Sequence, residues 1–104
     1  DRFSLTMIEQ PLGWDDIVDH ATLQKRLATP ICLDESIHGA EDARRAPELG
    51  ACQIVNVKVG RLGGFASALA VHELCRARSV PVSRHCLSAL KKPPCRRRWR
   101  LCRR

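Results

Sequence analysis

Three ionisable side chains in this sequence stand where they could do chemistry: Glu9, Asp34 and Lys58. Each comes at the end of a short apolar run: Leu5-Thr6-Met7-Ile8 before Glu9, Ile31-Cys32-Leu33 before Asp34, and Ile54-Val55-Asn56-Val57 before Lys58. Their separations are 25 and 24 residues. A charge at the end of an apolar strand is costly unless it is paired or bound to a metal. Two carboxylates offering only oxygen donors suit a hard cation such as Mg2+ or Mn2+. A lysine beside such a cation can act as a base near neutral pH. That combination favours proton abstraction next to a carboxylate. The same residues equally suit a salt-bridge layer, with Lys58 neutralising Glu9 and Asp34 and no metal present. Spacing alone leaves both readings open.

A repeating unit must position these groups. Residues 14–28 predict a helix, with Asp15 and Asp16 suited to the dipole of its first turn. In it Ile17, Val18, Ala21 and Leu27 fall near one face, Lys25 and Arg26 sit in the last turn, and Pro30 closes it. Residues 40–49 predict a second helix ended by Gly50. Pro47 lies about two turns into it, where it removes an N–H, so the expectation is a kink or a stop near Ala46. Residues 53–59 read as a strand, Gly60, Gly63 and Gly64 as a flexible loop, and 65–78 as a third helix with Ala68, Val71 and Cys75 along one face. Val80-Pro81-Val82 opens a fourth strand. The order β-α-β-α-β-α-β at a repeat of roughly 24 residues argues for parallel strands joined by crossover helices. In such α/β folds, functional groups gather beyond the carboxyl ends of the strands. Periodicity does not choose between a barrel and an open doubly wound sheet.

Three segments carry a resemblance: Ile8-Glu9-Gln10-Pro11-Leu12, Pro30-Ile31-Cys32-Leu33-Asp34-Glu35-Ser36, and Asn56-Val57-Lys58-Val59-Gly60-Arg61-Leu62-Gly63-Gly64. In order and spacing they resemble signature segments of the enolase superfamily, in its muconate-lactonizing subgroup. Within it the chain is similar to o-succinylbenzoate synthases and N-acylamino acid racemases, from about Leu5 to Val82. The resemblance implies a partial TIM-type (β/α) barrel, about units four to seven. It implies that Glu9 and Asp34 are metal ligands for Mg2+ or Mn2+ and that Lys58 is a catalytic lysine on one face of a small carboxylate substrate. Asn56 would line the site, Glu35 would anchor a loop or support the ligands from behind, and Arg61 would be solvated. The implied reaction is dehydration through an enediolate on the menaquinone route, or racemisation at Cα by the same family. The parent enzyme would be a homo-oligomer. A first metal carboxylate and a Lys-x-Lys strand, which the pattern places before Glu9, are not in this sequence, so an inactive remnant is a further reading.

Composition bounds the rest. At 104 residues the chain is shorter than the roughly 250 of a complete barrel. No apolar run reaches the roughly 18 residues of a transmembrane helix, and Asp1-Arg2-Phe3-Ser4 does not resemble a signal peptide. The net charge of +7 is unevenly placed. Residues 1–82 hold nine Lys and Arg against eleven Asp and Glu, whereas 83–104 hold nine basic residues and no acid. The expected division is a barrel piece over 1–82 and a basic Arg/Cys/Pro-rich tail over 83–104. The tail has the composition of a shifted reading frame in GC-rich sequence. A solvated tail and a basic nucleic-acid-binding segment with Trp99 for stacking are the other readings. Cys32, Cys52 and Cys75 lie in apolar runs and read as small hydrophobes. With no CxxC and no zinc spacing, a cytoplasmic, reducing compartment is expected.

Overall fold

The computed structural model describes residues 3–83 and the main chain of Cys102 and Arg103. The elements are β1 (Leu5–Glu9), α1 (Ile17–Gln24), β2 (Ile31–Leu33), α2 (Ala40–Glu48), β3 (Ile54–Asn56), α3 (Phe65–Ala77), β4 (Val82–Ser83) and β5 (Cys102–Arg103). The sheet order is β4-β3-β2-β1-β5. β1 to β4 are parallel neighbours, and β5 runs antiparallel to β1. Four parallel strands with a helix after each of the first three make half of an eight-stranded α/β barrel. Most of the basic tail, with the readings attached to it, lies outside the described residues.

Alternation along the strands separates two faces. Ile31, Leu33 and Val55 are fully buried and pack with Ala43, Ala46, Val71 and Cys75, so this face meets α2 and α3. The other face carries Glu9, its ladder partner Cys32, and Ile54 beside Cys32. Asp34, Asn56 and Lys58 follow at two-residue steps along the same side.

Four elements differ in their bounds from the sequence expectation, each for a local reason. α1 begins only at Ile17 because the Asp16 side chain caps it, accepting from the Asp19 N–H at 3.3 Å. It ends at Gln24, whose buried amide serves the following turn: Oε1 accepts from the Ile31 N–H at 2.7 Å, and Nε2 donates to the Leu27 and Thr29 carbonyls. Its inward side is Ile17, His20, Ala21 and Gln24, while Val18, expected inside, is 73% exposed. α2 does not stop near Ala46 but runs through Pro47 to Glu48. Pro47 falls in the last turn, and its carbonyl is used by the cap: Gly50 N–H donates to Pro47 O and Ala51 N–H to Ala46 O, with Gly50 at φ +72. β3 is three residues long rather than seven. The chain leaves the sheet after Asn56, and the Lys58 and Val59 carbonyls accept from Leu62 and Gly64 in a tight loop. β4 starts at Val82, because the Val80 N–H caps α3 through Cys75 O and Pro81 has none to give.

Candidate active site

The described face gathers the strand-end groups into two pairs. Asp34, 3% exposed, accepts from Lys58 Nζ on one carboxylate oxygen and from the Arg61 guanidinium on the other. Glu9 Oε1 accepts from Asn56 Nδ2 at 2.8 Å. Asn56 is fully buried, and its Oδ1 has no hydrogen-bond partner among the described residues. A buried carbonyl oxygen left unpaired is unusual, and it lies on the face that carries both carboxylates.

Backbone turns aim these groups. Lys58 lies two residues beyond β3, in the loop closed by the Leu62 N–H to Lys58 O bond at 3.1 Å. Arg61, three residues on, also donates from Nε to Ile37 O at 3.1 Å, tying the loop after β3 to the loop after β2. The expectation that Arg61 is solvated does not hold. Its side chain is 19% exposed, because the same turn that brings Lys58 to Asp34 brings Arg61 to the other oxygen. Glu35 is exposed, and no hydrogen bond or ion pair ties it to another described residue. The anchoring of its loop falls instead to neighbours that the sequence did not single out. Gln10 Oε1 accepts from the Asp34 N–H at 2.9 Å and the Ser36 N–H at 3.3 Å, while Gln10 Nε2 donates to Ser36 Oγ at 2.8 Å. Ser36 Oγ in turn donates to Trp14 O at 2.7 Å. Buried His20 holds the loop after β1: Nε2 accepts from the Leu12 N–H at 3.2 Å, so Nδ1, 2.6 Å from Asp16 O, carries the proton. The only sequence cue to these residues was that Gln10 and Ser36 stand inside the motif segments.

Electrostatically, the face has no cation of the described residues at Glu9 and two at Asp34. Burial pushes the Cys32 thiol far up, Glu9, Cys52 and Asp34 add to the rise, and Lys58 opposes it. Cys32 is therefore a neutral thiol packed between two carboxylate positions. Cys52 and Cys75 face the helices, and burial pushes Cys52 up to about 12, with Cys75 adding to it.

As a metal centre the described residues fit in kind but not in number. Glu9 and Asp34 are hard oxygen donors, yet both Asp34 oxygens hold cations of the protein, and no group of three His, Cys, Asp or Glu among the described residues could hold a metal ion. The salt-bridge layer forms only in part. Lys58 pairs with Asp34, whereas Glu9 is bound by the neutral Asn56 and has no cationic partner among the described residues.

Residues 1–96 match the model of the family described as Enolase C-terminal domain-like. An o-succinylbenzoate synthase from Geobacillus kaustophilus is 60% identical over 82 residues, covering 79% of this chain and 22% of that protein. An N-succinylamino acid racemase from Thermus thermophilus is 55% identical over the same length. A crystal structure of an enolase superfamily member from Listeria innocua superposes with a TM-score of 0.70 at 48% identity, covering 74% of this chain and 21% of that one. The chain thus spans about a fifth of the length of the relatives it matches. No described helix is long and apolar enough to cross a membrane.

Proposed function

The chain belongs to the Enolase C-terminal domain-like family, and on that footing we propose that it contributes one side of the active site of an o-succinylbenzoate synthase. The reaction would remove a proton α to a substrate carboxylate and expel water. The observation that carries the reading is Lys58 held on buried Asp34, on the same strand face as Glu9, in a chain 60% identical to a synthase. Among the described residues Lys58 is the one amine on this face, one-third exposed and so open to substrate. In the proposal it holds or moves the proton at Cα or stabilises the charge that develops there. Asp34 and Arg61 fix where its ammonium stands. Asn56 fixes Glu9 by donating from Nδ2 to its Oε1. Mg2+ or Mn2+ belongs to this reading as a source of positive charge for the substrate carboxylate, with Glu9 and Asp34 as two donors and the remainder outside the described residues. Racemisation of an N-succinylamino acid uses the same proton at Cα, and the 55% identity to a racemase favours it as the second reading.

The test is solvent exchange. The protein is incubated in D2O with Mg2+ and either an N-succinylamino acid or the hydroxylated precursor of o-succinylbenzoate, and deuterium at Cα and dehydrated product are followed by NMR. The expected result is exchange or product that Lys58→Ala lowers by about 100-fold or more, the range for loss of a general acid or base. Exchange that survives Lys58→Ala undiminished would refute the role given to Lys58. Exchange without dehydration would favour the racemase. No exchange and no product would favour the inactive remnant.

A further inference from the structure

We propose that Gln10 is the positioning residue of this site, setting Asp34, and through it Lys58, by replacing a rung of the β1–β2 ladder with its own side chain. The ladder runs Ile8 N–H to Pro30 O and Gln10 N–H to Cys32 O, both at 2.9 Å. In a parallel pair the next rung would carry the Asp34 N–H to the main-chain carbonyl of Gln10. Gln10 instead adopts a left-handed backbone, φ +39, which turns its own carbonyl out of the ladder. Its side-chain Oε1 takes the Asp34 N–H at 2.9 Å and reaches the Ser36 N–H at 3.3 Å. The turn that bears Asp34, closed by Ile37 N–H to Asp34 O at 3.0 Å, is thus held from β1 by one carboxamide. The other end of that carboxamide donates to Ser36 Oγ at 2.8 Å and approaches the Leu12 and Gly13 carbonyls at 3.3 and 3.4 Å.

A side chain spending both ends on two loops, from a backbone conformation that favours glycine, is not explained by packing, since Gln10 is only half-buried. The consequence is mechanical. Glu9 ends β1, Gln10 follows it directly, and Asp34 hangs from Gln10, so the two carboxylates are held at a fixed offset by consecutive residues of one strand end. Asp34 then orients Lys58 and Arg61. This deepens the proposed function and rests on it for the use of Lys58 in chemistry. The geometric claim is tested without substrate or metal, so its failure would leave the catalytic reading standing, and the reverse also holds.

The experiment is competitive acylation of the whole chain with trace acetic anhydride at one pH, read by peptide mass spectrometry. Lys58 is compared with exposed Lys25, and the thiols of Cys52 and Cys75 report on the core in the same samples. Gln10→Gly keeps the left-handed backbone easy and removes the side chain with its carboxamide. It is expected to raise Lys58 acylation roughly fivefold relative to Lys25, the scale of one lost hydrogen bond of modest net strength. Both core thiols should stay protected. Gln10→Glu keeps the acceptor for the Asp34 N–H and is expected to return the rate to within about twofold of the unaltered chain. The proposal is overturned if Lys58 acylation is unchanged in Gln10→Gly, or if Gln10→Glu is as fast as Gln10→Gly. It is equally overturned if Cys52 and Cys75 open together with Lys58, since Gln10 would then serve only general stability.

Discussion

Asp34→Asn removes one negative charge while keeping the shape of the side chain, and the structure sets the size of the effect. Asp34 is 3% exposed and carries two charge-assisted hydrogen bonds, from Lys58 and Arg61. Hydrogen bonds to charged groups contribute about 1.5–3 kcal/mol each, and leaving one member of a buried pair uncompensated costs about 3–5 kcal/mol. Two features lower that figure here. The Lys58 side chain is 33% exposed and that of Arg61 19%, so water takes up part of their solvation once the carboxylate is gone. The asparagine also keeps one acceptor oxygen. The expected loss is therefore ~2–3 kcal/mol, a large share of the roughly 5–15 kcal/mol of an ordinary domain. In urea, with a slope of about 1–3 kcal/mol per molar, the midpoint should fall by about 0.7–3 M at unchanged slope. Arg61→Met made in both backgrounds should show a coupling of about 1 kcal/mol between the two residues. A midpoint that stays within about 0.3 M, or rises, would refute the reasoning. It would mean that the desolvation of Asp34 cancels its pairing and that the cluster adds nothing to stability.

Two further outcomes follow from the same coordinates. α3 ends on Ser79 at φ +57, where the Val80 N–H donates to Cys75 O at 2.8 Å, the place usually held by glycine. Ser79→Gly should stabilise by ~0.5–1 kcal/mol and raise the melting temperature by a few degrees, because relief of the left-handed strain exceeds the added freedom of the unfolded chain; a lower melting temperature by calorimetry would contradict it. Burial holds the Cys32, Cys52 and Cys75 thiols above their ordinary value of 9.0, Cys52 at about 12. The unfolded chain therefore releases these protons first, and their contribution should be level below about pH 9 and fall between about pH 9 and 12, by about 1.4 kcal/mol per pH unit for each of Cys32 and Cys52, with Cys75 adding in the same direction. Cys52→Ala should flatten that fall by one such increment in urea titrations across the range, and an identical slope would show that Cys52 is not protected.

The spacing of Glu9, Asp34 and Lys58 was informative because one βα unit has a nearly fixed length. Charges 25 and 24 residues apart had to arrive at the same rim of adjacent parallel strands. The buried helix face Ala68, Val71 and Cys75 was legible for a similar reason, since its period of three and four is dictated by the helix itself. What could not be read was polar burial. Val18 was placed inside for its apolar side chain while the polar His20 and Gln24 were not singled out, yet the loops on either side of α1 carry main-chain groups that His20 and Gln24 bind. Arg61 was misplaced for the same reason, because its partners, Asp34 and the Ile37 carbonyl, lie 27 and 24 residues away and no local pattern marks them. Gln10 was hidden further still, since its role depends on its own left-handed backbone.

The arrangement of charge decides how far the two opening readings of this face can both stand. A purely structural salt-bridge layer would place Lys58 between Glu9 and Asp34 and neutralise both. Among the described residues two cations converge on Asp34 and none on Glu9, which is bound instead by the neutral amide of Asn56. An amide hydrogen bond orients a carboxylate without cancelling its charge. Asn56 itself is buried with an oxygen that no described residue satisfies, a cost that an apolar residue at the same position would avoid. Stability alone gives no reason to spend a fully buried side chain on aiming an uncompensated carboxylate. Positive charge brought to Glu9 from beyond the described residues would give one, and the pairing of Lys58 with Asp34 leaves Glu9 able to take it.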